Sequence, residues 1–127
     1  MAKTDYLEDA ILNHVLRNTA LTSPTTVYVG LTSTATTDAG GGTELTGNGY
    51  ARQSMTFGAP SAGSCSNSAE VLFPEATGAW PAATHFFIAD AVTAGNRLYH
   101  GALDASRTAA LGDQIRFAIG VLTVTES

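Results

Sequence analysis

The stretch Val27-Tyr28-Val29-Gly30-Leu31-Thr32 alternates strictly, with Val27, Val29 and Leu31 on one side and Tyr28, Gly30 and Thr32 on the other. Extended backbone points successive side chains to opposite faces, so this period of two marks a half-buried strand. Downstream the signature returns in short pieces. Tyr50–Phe57 alternates again, and Ala69–Phe73 is a strand that Pro74 ends by removing a ladder donor. Thr84–Ala91 sets Phe86 and Ile88 against His85 and Phe87. Gly95-Asn96 turns the chain into a strand over Arg97–Leu103, and Gln114–Ile119 and Val121–Thr125 follow.

The segments between them are rich in Gly, Ser, Thr and Asn. Residues 33–49 form a polar loop longer than compact domains keep without a use for it, and Asn48-Gly49 within it is the sharpest turn signal. Gly58–Ser68 and residues 104–112 also read as loops. Seven or eight short strands at this spacing predict a mainly β fold, an antiparallel β-sandwich or jelly roll.

Upstream the period changes to that of a helix. Over residues 5–17, Leu7, Ala10, Ile11, His14 and Val15 fall on one face. Asp5 and Glu8 read as a capping box, and Arg17 and Asn18 suit the C-terminal end. So short a helix is marginal alone, so its apolar stripe docks on the chain's own sheet or on a neighbouring subunit. The predicted organisation is one domain over 1–127, with a helix at about 5–17 and strands from about 26 to 125.

Composition narrows the function classes. Eleven carboxylates face six scattered Lys and Arg, giving a formal charge of −5. Nucleic-acid binding needs clustered cations, so DNA or RNA is not an expected partner. No apolar run approaches the ~20 residues of a membrane span. The first residues lack the apolar core of a signal peptide, which points to synthesis in a cytoplasm. The single cysteine, Cys65, excludes an internal disulfide. Charged residues make up only 13% of the chain, about half the usual share, as suits a surface that partly meets other protein.

Chemistry-bearing patterns are weak. His14, His85 and His100 lie on different elements, and none has the spacing of a metal site. Gly63-Ser64-Cys65-Ser66 is better read as a tight β connection than as a nucleophile loop, and Gly47-Asn48-Gly49 lacks the third glycine of a dinucleotide loop. The isolated acids Glu70, Glu75, Asp90, Asp104 and Asp113 give no defined carboxylate pair. The expectation is a non-enzyme without metal or cofactor. Partner contacts are expected from the helix at Leu7 and Ile11, from the 33–49 loop, and from Tyr28, Tyr50 and Trp80. Trp80, beside Pro81, is the leading anchor.

The order of several blocks carries a resemblance: Tyr6-Leu-Glu-Asp-Ala-Ile-Leu-Asn-His14, Pro24 with Val27-Tyr-Val-Gly-Leu31, Gly40-Gly-Gly-Thr-Glu44, Gly49-Tyr-Ala-Arg-Gln53, and Ser66-Asn-Ser-Ala-Glu-Val71 with Phe73-Pro74. Gly95-Asn-Arg-Leu-Tyr-His-Gly-Ala-Leu103, Gly112-Asp113, Phe117 and Leu122-Thr-Val124 complete it. This order resembles a family of small tailed-bacteriophage virion proteins, often labelled tail-fibre-like. The resemblance implies a structural role. One form is a head decoration, or cement, protein on the capsid surface that bridges major capsid protein subunits as a dimer or trimer. The alternative is a tail-fibre-associated protein involved in host attachment. No catalytic residues come with either.

Overall fold

A computed structural model describes residues 2–126. Nine strands and one helix follow in the order β1 (Ala2–Lys3), α1 (Asp5–Leu16), β2 (Val27–Thr32), β3 (Gln53–Met55), β4 (Ser64–Ser66), β5 (Val71–Leu72), β6 (Ala83–Ala89), β7 (Arg97–Arg107), β8 (Arg116–Phe117) and β9 (Thr123–Thr125). The main sheet runs β1-β7-β6-β2-β3, and two short ladders, β4-β9 and β5-β8, complete the set. Every ladder is antiparallel. The fold is therefore mainly β with one helix, and its layering is compatible with the predicted sandwich.

Alternation along β2 and β6 sets the core. Val29 and Leu31 from β2, and Phe86 and Ile88 from β6, join Val71, Phe117 and Val124 from the small ladders in one buried cluster. Phe73 lies at its centre, packed against Tyr50, Trp80 and Phe117 at ring separations of 6.0, 6.5 and 6.2 Å. Burial of such side chains supplies the main driving force for folding, about 1.5–3 kcal/mol for each one fully covered.

The predicted strands are present, with three corrections. Ser64–Ser66, expected inside a loop, pairs with Thr123–Thr125. It is reached by a tight turn with Ala62 and Gly63 both at positive φ, closed by a 3.0 Å bond from the Ser64 N–H to the Ser61 carbonyl. β7 runs on to Arg107, past the expected loop start at 104. Its register against β6 shifts between His85↔Ala102 and Ala83↔Arg107, an irregularity that no residue pattern announces. Ala2–Lys3 adds a short edge strand ahead of the helix.

The helix is also adjusted. Thr4, not Asp5, is its N-cap and accepts the Leu7 N–H, while Asp5 and Glu8 sit in the first turn, where acids suit the positive helix end. The Thr4 hydroxyl also donates to the Arg97 carbonyl at 2.6 Å, tying the cap to β7. The expected docking stripe holds only at the start. Leu7 is buried, Ala10 and Ile11 are half-buried, and His14 and Val15 are exposed. The helix docks on β7, and Leu12, Val15 and Leu16 in its second half are exposed.

Candidate functional site

The 33–49 segment is a strap. Its ends close on each other through the bridge between Thr32 and Glu44 and a 2.9 Å bond from the Ser33 N–H to the Thr43 carbonyl. Between them the chain folds over the face of the main sheet opposite the core. The predicted turn is formed, with Asn48 at φ 51° and Gly49 at φ 84°, closed by the Tyr50 N–H on the Gly47 carbonyl at 3.0 Å.

Three basic side chains hold the strap down. Arg52 grips Glu44 with two bonds, Nε to Oε2 at 2.8 Å and Nη2 to Oε1 at 2.9 Å. Its Nη1 donates to the carbonyls of Ala91 and Ala94 in the β6–β7 connection, at 2.9 and 2.8 Å. Arg97 donates to the Gly41 carbonyl at 2.8 Å. Both guanidiniums sit over the Phe87 ring, 4.9 and 4.0 Å from its centroid. Such cation–π contacts strengthen as they lose water.

The electrostatics follow from this packing. Burial pushes the Glu44 carboxyl up, but hydrogen bonds from Arg52 and Tyr50 outweigh it and hold the group below its ordinary value. Bonding to Glu44 raises Arg52 further, while burial lowers Arg97, whose guanidinium bonds backbone carbonyls of the strap. The Tyr50 hydroxyl donates to Glu44 at 2.8 Å and accepts the Leu31 N–H at 3.0 Å; burial drives its ionisation well above the ordinary range.

His100 is the third fastener. One ring nitrogen lies 2.7 Å from the Thr36 hydroxyl and the other 2.7 Å from Asp38 Oδ1. The set of hydroxyl, imidazole and carboxylate has the composition of a catalytic relay. Both nitrogens, however, are engaged by the strap itself, so the imidazole acts as a clasp. Among the described residues, no group of three or more His, Cys, Asp or Glu side chains is placed to hold a metal ion, and no helix is long and apolar enough to cross a membrane.

Two other surfaces are open. One is an apolar groove of about 270 Å³ whose lining includes Val27, Phe57, Cys65, Ile88, Tyr99 and Val124. Glu126 lies at this groove, held by Lys3 at 3.1 Å and by the Tyr99 hydroxyl at 2.9 Å. The other is the second half of α1, where Leu12, Val15 and Leu16 are 54%, 68% and 74% exposed.

The residues singled out for partner contact separate in the structure. Leu7 is covered by the chain's own fold, and Ile11 is half-buried on the same helix. Tyr28 is half-buried on β2, facing the strap side. Tyr50 joins the Glu44–Arg52 network. Trp80 is 5% exposed, stands edge-on to Tyr50 at 5.6 Å, and donates its indole N–H to the Asn48 carbonyl at 2.8 Å. Its surroundings are those of a core residue. Sequence reasoning did not mark Glu44, Arg52 or Arg97, and it weighed His100 only as a metal or acid–base candidate and set it aside. For Glu44, Arg52 and Arg97 the available signal was their charge on strands and strap ends, where a buried ion needs a partner.

A protein-family model described as Podophage GP4 fiber I protein gp80 matches residues 2–125. Comparison with curated proteins finds no match.

Proposed function

The chain belongs to the podophage GP4 fiber I protein gp80 family, and from that membership we propose that it is a structural component of the phage fibre, acting through protein contact rather than catalysis. The family match, which spans almost the whole chain, carries this reading. The architecture supports it. A strap pinned by Arg52, Arg97 and His100 gives a rigid body, and apolar surface is left open on the helix and in the groove. Apolar surface ringed by polar residues suits association with other protein.

A second reading, decoration of the capsid by bridging major capsid protein subunits, is favoured by a different observation. Charged residues make up only 13% of the chain, and residues 1–127 contain no internal repeat of the kind that builds a self-trimerising fibre. Whatever binds only the assembled shell stabilises it by mass action. Labelled antibody against the protein on intact virions separates the two. Label confined to the tail region, with no binding to undecorated shells in co-sedimentation, is the expected result. Label spread over the head, with saturable shell binding and a raised capsid melting temperature, would replace the fibre role with decoration.

A further inference from the structure

We propose that Asn48 is a spontaneous deamidation site gated by the fold, closed while residues 77–80 lie on the Asn48-Gly49 turn and open when they lift. The inference does not depend on where in the virion the protein sits.

The chemistry is intramolecular. The Gly49 backbone nitrogen attacks Asn48 Cγ and forms an N–C bond, closing a succinimide ring. The Cγ–Nδ2 bond breaks, and ammonia leaves with the proton that Gly49 gave up. Water then opens the ring at either carbonyl, giving aspartate or isoaspartate. Of the asparagines, Asn48 alone is followed by glycine. His14, Thr19, Ser68 and Arg97 follow the others and set a side chain beside the attacking nitrogen. Asn48 and Gly49 are both exposed, so water reaches them.

The structure holds the reacting atoms apart. Attack needs the Gly49 nitrogen on the same side of the Asn48 Cα–C bond as Cβ. Asn48 and Gly49 both take positive φ, 51° and 84°, in a turn closed by the Tyr50 N–H on the Gly47 carbonyl. The left-handed first residue of such a turn carries the next nitrogen to the far side of that bond. Two donors then fix the peptide plane, because the Asn48 carbonyl accepts the Thr77 N–H at 3.0 Å and the Trp80 indole N–H at 2.8 Å. The side chain is held separately, its Nδ2 donating to the Ala79 carbonyl at 3.1 Å. Gly78 makes room for it, since a Cβ there would lie 2.9 Å from Asn48 Cγ. Residues 77–80 thus form the lock. They are tied down in turn by the Trp80 N–H on the Ala109 carbonyl at 2.8 Å and the Ala76 N–H on the Asp113 carbonyl at 2.9 Å.

A reaction that waits on local opening proceeds only in the open fraction of molecules. Once it has occurred, the lock is lost. Aspartate has no N–H for Ala79, and isoaspartate reroutes the backbone through the side chain, moving the carbonyl that Trp80 and Thr77 hold.

Peptide mapping for isoaspartate after incubation in mildly alkaline buffer, with and without urea, tests this. In urea, Asn48 is expected to react ahead of every other asparagine. In the native chain its rate is expected to fall at least ~10-fold, the factor set by how rarely the lock opens. Gly78→Ala crowds the end of the Asn48 side chain and is expected to raise the native rate there several-fold, while buried Asn67 stays slow. Trp80→Phe, which removes one of the two donors to the Asn48 carbonyl, serves as a second variant. The isoaspartate fraction, separated by its added negative charge, is expected to show red-shifted tryptophan emission. Equal rates at Asn48 with and without urea, another asparagine reacting first in urea, or both variants matching the native rate would overturn the proposal. So would a rise in Gly78→Ala shared equally by Asn67, or native emission in the isoaspartate fraction.

Discussion

Gly30 and Phe87 are opposed on β2 and β6, and a Cβ on Gly30 would lie 2.2 Å from the tip of the Phe87 ring. The ring lies across the glycine and closes the gap that a missing side chain leaves on the strap side of the sheet, the relation called aromatic rescue. It cannot move outward, because the Arg52 and Arg97 guanidiniums rest on it. Gly30→Ala is therefore expected to destabilise the protein by at least the ~1–3 kcal/mol typical of overpacking, visible as a lower urea midpoint. Gly58→Ala is the control. Its nearest contact would be the Ser66 carbonyl at 3.9 Å, so its midpoint should barely move.

Arg52 joins three segments at once: the strap through Glu44, the β6–β7 connection through Ala91 and Ala94, and its own position ahead of β3. Arg52→Ala strips Glu44 of its charged partner and leaves both carbonyls short of a donor. Breaking a buried pair from one side costs about 3–5 kcal/mol, and the partial exposure of Glu44 places this one at the lower end. Arg52→Lys keeps the charge but cannot reproduce the two-pronged grip, so it should recover less than half of the loss. Thermal melts of the three proteins check the order. Proteolysis within residues 33–49 should accelerate in parallel, because the strap is what Arg52 releases.

The same carboxylate fixes a pH dependence. Glu44 is held below its ordinary value of 4.5 in the folded chain, so folding favours its ionised form. Its contribution is fully present above the unfolded value and is lost as pH falls through the lower folded one. Melting temperature should therefore drop as the solution is taken below about 4.5. Glu44→Gln should melt lower than the native chain at neutral pH and lose less on acidification. Parallel curves for the two proteins would mean that another group carries the acid sensitivity.

What the sequence disclosed and what it hid divide along physical lines. The Val27–Thr32 alternation, the Asn48-Gly49 turn and the helix start were legible because each depends on neighbours within a few residues. Ser64–Ser66 was not, because serine and cysteine carry no strand signature and the pairing comes from β9, far along the chain. The strap was seen as a long loop, but its fastening was not. Arg97 reaches Gly41 across 56 positions and Arg52 reaches Ala91 across 39, contacts that no local pattern records. The helix stripe was drawn through Val15 because periodicity tells which residues share a face, not how far the sheet beneath extends. Leu12 and Leu16 were left out of that stripe, and the structure leaves them as the open apolar face.

Trp80 shows how that division changes an experiment. On sequence it was the leading anchor for a partner, and a surface anchor would lose binding on substitution while keeping stability. In the fold it packs edge-on to Tyr50 and Phe73 and donates to the Asn48 carbonyl, which the Thr77 N–H also reaches at 3.0 Å. Trp80→Ala is expected to cost about 3–5 kcal/mol, the usual range for emptying a buried aromatic site. Trp80→Phe should lose less, since the ring contacts largely survive and the Asn48 carbonyl keeps its backbone donor. As the single tryptophan it also reports on itself. Native emission should be blue-shifted and poorly quenched by iodide, and both properties should vanish together with the far-UV signal in a denaturant titration. An emission maximum typical of a solvated indole in the native protein would place Trp80 back at the surface and restore it as a contact residue.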